Sequence, residues 1–141
     1  MKRPCASLLL LALGALWGCG ELTSGGLRSA EVLGAISYGS VKDGVGYIGG
    51  HLAYRFDGRE NDVVDAYAQS DDGHALASIV DSSFGVVGYM QDPSVPTYRA
   101  HVQTPLPWSG TYYLVFREAS SQPATFQVTL EGVAAPVTAG P

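Results

Sequence analysis

The sequence predicts an all-β, antiparallel β-sandwich of the jelly-roll or immunoglobulin-like kind, with about seven or eight short strands and no substantial helix in the mature chain. Three observations predict it. Apolar and polar residues alternate with period two in several separate runs. Turn clusters carrying Gly interrupt these runs at intervals of about 8–12 residues. Beyond residue 30, no stretch of a dozen residues shows a clear 3.6-residue period.

The elements follow in chain order. Leu27 to Ile36 has the length of a short helix, which Gly34 weakens. Lys42-Asp43-Gly44 reads as a turn, because Gly takes positive φ without a steric cost. His51 to Asp57 places Leu52, Tyr54 and Phe56 on one face and His51, Arg55 and Asp57 on the other. After the turn signal Asp57-Gly58, Val63 to Ala68 forms the next strand. Asp71-Asp72-Gly73 reads as a hairpin turn leading into Ala75 to Val80, and Val86 to Met90 and Tyr98 to Val102 fill the following gaps. Past the turn Trp108-Ser109-Gly110 comes the most β-prone run, Tyr112 to Phe116, a central strand with Tyr112, Leu114 and Phe116 in the core. Thr125 to Glu131 closes the domain with Phe126, Val128 and Leu130 inward.

Composition bounds the function. The chain has 141 residues, 46% of them hydrophobic, enough to bury the core of one domain. Its net charge is −5, and Lys2 and Lys42 are its only lysines. A nucleic-acid partner is excluded on that ground, since phosphate backbones are held by clustered cations.

The N-terminus gives an address. Lys2 and Arg3 precede an apolar run from Leu8 to Trp17, too short to cross a hydrocarbon core and of the length of a signal-peptide h-region. Leu16-Trp17-Gly18-Cys19 resembles the bacterial lipobox, with an aliphatic residue at −3, a small residue at −1 and the obligatory Cys. Trp17 at −2 is bulkier than the usual residue there. The resemblance implies that residues 1–18 are a signal peptide and that Cys19 carries a diacylglyceryl group, with a third acyl chain on its freed amine. Two or more chains hold a protein on a bilayer where one does not. Gly20 after the Cys resembles lipoproteins sorted to an outer membrane, in organisms that have one. Cleavage would remove two cations and leave six basic residues against thirteen acidic ones, a net charge of −7. Cys5 goes with the signal and Cys19 with the lipid, so the mature domain holds together without a disulfide. Residues 19–30 read as a flexible tether, 31–133 as the sandwich and 134–141 as a tail.

A second resemblance lies in the strands. Leu52-Ala53-Tyr54-Arg55-Phe56, the turn from Gly58 to Val64, Ala75 to Asp81 followed by Gly85, and above all Gly110-Thr111-Tyr112-Tyr113-Leu114-Val115 resemble the bacterial pre-peptidase C-terminal domain, over about residues 47–133. The resemblance implies a small β-sandwich accessory to a secreted peptidase. Members often carry an acidic calcium cluster, but the matching place here, Tyr89-Met90-Gln91-Asp92-Pro93, has a single carboxylate.

Few residues suggest chemistry. The pattern G-x-S-x-G is absent, and so is H-E-x-x-H. His51, His74 and His101 are isolated in sequence and read as surface histidines. No cofactor is expected; calcium, which takes oxygen ligands, is weighed at the densest carboxylates, Asp71-Asp72-Gly73 and Asp62/Asp65, with Asp71 and Asp72 the candidate ligands. The same two residues read first of all as turn residues whose carboxylates cap local amides. The aromatic residues Tyr89, Tyr98, Trp108, Tyr112 and Tyr113 are candidates for a ligand platform, with Tyr89, Trp108 and Tyr113 the expected contacts. The function expected from these features is a non-catalytic binding or interaction module, lipid-anchored to a membrane of the cell envelope, with a polysaccharide or a protein as partner. The alternative is a small secreted hydrolase whose active site the sequence does not display.

Overall fold

A computed structural model describes residues 29–90 and 95–133. The signal segment 1–18, Cys19, nearly all of the tether and the 134–141 tail lie outside the described residues. Nine strands are described: β1 (Glu31–Ala35), β2 (Ser40–Tyr47), β3 (Leu52–Gly58), β4 (Val63–Ser70), β5 (Ala75–Asp81), β6 (Val86–Tyr89), β7 (Arg99–Pro105), β8 (Gly110–Glu118) and β9 (Ala124–Val133). They form two sheets, one of five strands in the order β1-β3-β8-β5-β6 and one of four in the order β2-β9-β4-β7. The protein is an all-β sandwich.

The core follows from alternation. Leu52, Tyr54 and Phe56 of β3, Tyr112, Leu114 and Phe116 of β8, and Phe126, Val128 and Leu130 of β9 are all buried, as the period-two reading placed them. Phe116 reaches across to the facing sheet, 5.0 Å from Phe126, while within the five-stranded sheet Phe56 stacks on Tyr112 at 5.8 Å. On the opposite sheet the inward positions of β4 are small, Val64, Ala66 and Ala68, which makes room for these rings.

Four expectations are corrected. Among the described residues there are nine strands rather than about seven or eight, and the helix considered over Leu27 to Ile36 is strand β1 where it is described. β1 is an edge strand with all five residues exposed, so it carries no alternation, and it pairs with β3 in parallel, the one departure from antiparallel pairing. Lys42-Asp43-Gly44 is not a turn between elements but an irregularity inside β2, where the register with β9 shifts. Gly44 takes the left-handed φ of 65° there, and the Asp43 carboxylate accepts its N–H at 2.9 Å. Asp71-Asp72-Gly73 is not a hairpin turn, because β4 and β5 belong to different sheets. Among the described strands only β5 and β6 are joined as a hairpin; every other connection passes from one sheet to the other.

That topology gives the sandwich two ends. Connections 48–51, 71–74 and 119–123, with the segment 95–98 that enters β7, gather at the near end, where the chain also enters β1. Connections 36–39, 59–62, 82–85 and 106–109 gather at the far end.

Candidate functional site

A buried carboxylate organises the near end. Glu118, fully enclosed at the end of β8, accepts the hydroxyl proton of Ser70 and the backbone N–H of His74, the latter at 3.1 Å. Ser70 Oγ in turn accepts the Asp72 N–H at 3.0 Å. Hydrogen bonds to an ionised acceptor are the strong ones, and a buried carboxylate requires them. Ser70 is itself only 1% exposed, and its hydroxyl is engaged within this scaffold. The calcium candidates sit on the same loop. Asp71 accepts the Thr125 N–H at 2.9 Å, and Asp72 accepts the Ser120 hydroxyl at 3.1 Å, so both carboxylates tie the 71–74 connection to the β8–β9 connection. Among the described residues, no three His, Cys, Asp or Glu side chains converge to hold a metal.

Beside this scaffold, the outer face of the four-stranded sheet carries an ordered polar row. The odd-numbered residues of β4 and β7 point outward, and the register sets Tyr67 opposite His101 and Gln69 opposite Arg99. The Tyr67 and His101 rings stack at 4.4 Å with 7° between their planes. The Arg99 guanidinium lies over the Tyr67 ring at 3.8 Å, and Asp65 pairs with His101 Nε2. Four side chains at or near the surface thus hold one another in place without contributing to the core.

The row runs into a cleft at the near end. About 480 Å³ in volume, it is lined by Asp43 of β2, Gln69 of β4, Asp71, Tyr98, and Thr125 and Gln127 of β9, over a floor of Ser70 and Phe126. Gln69 and Gln127 are directly opposed across the β4–β9 ladder. Tyr98 is 63% exposed. Its carbonyl accepts the Ser70 N–H at 2.7 Å, and its ring lies so close to Gly73 that a Cβ there would stand 3.3 Å away.

The expected aromatic contacts are dispersed. Tyr89 ends the edge strand β6 and is half exposed, opposite Ser78. Tyr113 points outward from β8 and is partly covered by Phe84, stacked on it at 5.4 Å. Trp108, also half exposed, sits in the 106–109 connection at the far end, where its carbonyl accepts the Tyr112 hydroxyl at 2.5 Å. Tyr112 is buried, and that burial raises its pKa. Only Tyr98 of this set lines the cleft.

The outer face of the five-stranded sheet is of another kind. Ala53, Val80 and Val115 are buried there, with Ala30, Phe84 and Tyr113 packed against them. Near Tyr89 a small depression is lined by His51 and Arg117, and burial, followed by the Arg117 charge, lowers the His51 pKa.

The sequence reading missed Tyr67, Arg99, Asp43, Gln69 and Gln127. Its only available signal was that both 65–69 and 99–103 alternate, with polar or aromatic residues at every outward position. The β4–β7 ladder that makes Tyr67, Gln69 and Arg99 neighbours joins residues thirty or more apart, and Asp43 and Gln127 come from β2 and β9.

No protein-family model matches the chain, and no curated protein matches it in sequence. Solved structures do match it in fold. The pre-peptidase C-terminal domain of a collagenase from Bacillus anthracis superposes with a TM-score of 0.59 at 17% identity, covering 74% of this chain and 98% of that domain. A periplasmic inhibitor of g-type lysozyme from Aeromonas hydrophila superposes with a TM-score of 0.52 at 10% identity, over 73% of this chain and 100% of the inhibitor. The fold is therefore that of a pre-peptidase C-terminal-like sandwich, as the strand motifs implied.

Proposed function

We propose that this protein is a non-catalytic binding module of the cell envelope, anchored by lipid on Cys19 and engaging an envelope polysaccharide or protein through the outer face of its four-stranded sheet. The observation that carries this reading is the row Asp65–His101–Tyr67–Arg99. Side chains already held in one arrangement lose less conformational freedom on contact, and Tyr and Arg are the residues that most often anchor interfaces. The similar structures support it. One is a domain attached to a peptidase and the other an inhibitor of an enzyme.

The anchor fits the same orientation. Glu31 N–H bonds the His51 carbonyl at 2.9 Å, so the chain joins the sandwich at its near end. Eleven residues separate Cys19 from Glu31, a reach of at most roughly 40 Å. The cleft end of the module then stays close to the bilayer, on an outer membrane where the organism has one.

The test uses the full chain in detergent against envelope polysaccharide and envelope protein fractions. Wild type retains a component of one fraction; Tyr67→Ala and Arg99→Ala lose it while keeping their melting midpoint. Retention that neither substitution weakens, or turnover of a generic ester or glycoside, overturns the reading. For the anchor, Cys19→Ala abolishes lipid labelling and releases the protein from membranes. A wild-type mature N-terminus without acyl mass would refute it.

A further inference from the structure

Resting on that reading, we infer that the near-end cleft is a binding site for a neutral oligosaccharide, with the Tyr98 ring as its platform and the opposed amides of Gln69 and Gln127 as its hydrogen-bonding pair.

The chemistry of the lining selects the ligand. At about 480 Å³ the cleft has the size of a small-molecule site. A sugar presents one apolar C–H face and a rim of hydroxyls that both donate and accept. Tyr98 meets the first requirement. One side of its ring is backed by Gly73, its carbonyl is held by Ser70, and the ring is otherwise largely exposed. An amphipathic ring so fixed offers contact area at little entropic cost. The amides meet the second, since each supplies two donors and an acceptor, and their cross-strand pairing sets them side by side.

The carboxylates set the charge. Asp43 and Asp71 each have one oxygen tied to a backbone N–H, of Gly44 and Thr125 respectively, both at 2.9 Å. A carboxylate so oriented retains acceptor capacity for hydroxyl protons and repels uronates and sulfated sugars. A peptide is the poorer fit. The only apolar side chain in the floor, Phe126, is itself buried in the core, so among the described residues the cleft offers no pocket for an apolar anchor.

The experiment applies the full chain in detergent micelles to immobilised oligosaccharides of glucose, mannose, galactose and N-acetylglucosamine, with uronate and sulfated series and oligolysine for comparison. At least one neutral series is retained and the anionic series are not. Tyr98→Ala weakens retention about tenfold and Tyr98→Phe preserves it. The double variant Gln69→Ala/Gln127→Ala abolishes retention at an unchanged melting midpoint. Retention of no neutral series, retention equal in Tyr98→Ala, or preference for oligolysine overturns the inference. Capture of an envelope protein through Tyr67 and Arg99 with no sugar retained would overturn it and leave the binding reading standing. Loss of both would overturn both.

Discussion

On the outer face of the five-stranded sheet, Ala53, Val80 and Val115 lie buried with Ala30, Phe84 and Tyr113 packed against them, whereas the outer face of the four-stranded sheet carries Asp65, Tyr67, Arg99 and His101 at or near the surface. Both are outward faces of strands, yet one is buried under a cover and the other is left open to solvent. The difference lies in the connections. The 82–85 connection folds Phe84 back over β8, with Phe84 in the left-handed region at φ 65°, a conformation that costs a bulky residue energy and persists because the stack and the Asp81 cap to Ser83 and Gly85 hold it. No such cover lies over the β4–β7 row among the described residues.

The largest effect expected from this contrast is a charge placed beneath the cover. Val115→Asp leaves an unpaired carboxylate in a site 2% exposed and should cost roughly 3–5 kcal/mol in urea unfolding. A cost within about 1 kcal/mol would show that the Ala53–Val80–Val115 cluster is open to water. A smaller effect compares the covers. Phe84→Ala should lower stability by about 1–2 kcal/mol and leave partner binding intact. Tyr67→Ala should do the reverse, staying within about 1 kcal/mol of wild type while binding falls. If the two variants behave alike, the division between the faces fails.

The smallest effect is titrimetric. His51 borders the five-stranded face, and burial with the Arg117 charge lowers its pKa below 6.5. The unfolded chain then takes up a proton more readily than the folded one. The contribution is therefore present above pH 6.5 and lost as pH falls through the folded value. His51→Gln should flatten the acid side of the stability profile, read as melting midpoint against pH from 7.5 to about 4.5.

How much of this the sequence displayed depends on burial. β3, β8 and β9 alternate because one face of each meets the core, so Leu52, Tyr54, Phe56 and their partners were legible by counting. β1 was illegible because all its residues are exposed, and β2 because Asp43 and Gly44 interrupt it. Asp71-Asp72-Gly73 was read as a hairpin because turn chemistry reports a change of direction and not whether the chain changes sheets. Glu118 looks like an ordinary strand-end acid. That it is enclosed follows from Ser70 and His74, 48 and 44 residues away. The Asp65–His101–Tyr67–Arg99 row was hidden for the same reason. Its residues are ordinary in each strand, and only the β4–β7 register makes them a unit.

The strand order has a consequence in time. With β5–β6 the single hairpin among the described strands, almost every other pairing joins distant segments, and such topologies fold slowly because loop closure precedes its reward. β9 comes last of the nine yet lies inside the four-stranded sheet, between β2 and β4. Until residues 124–133 are available, β2 has no neighbour there and the β4–β7 pair stands alone. A partly synthesised chain can assemble most of the five-stranded sheet, but the face that carries the Tyr67 row and the cleft comes into being only when the final strand slides into its centre.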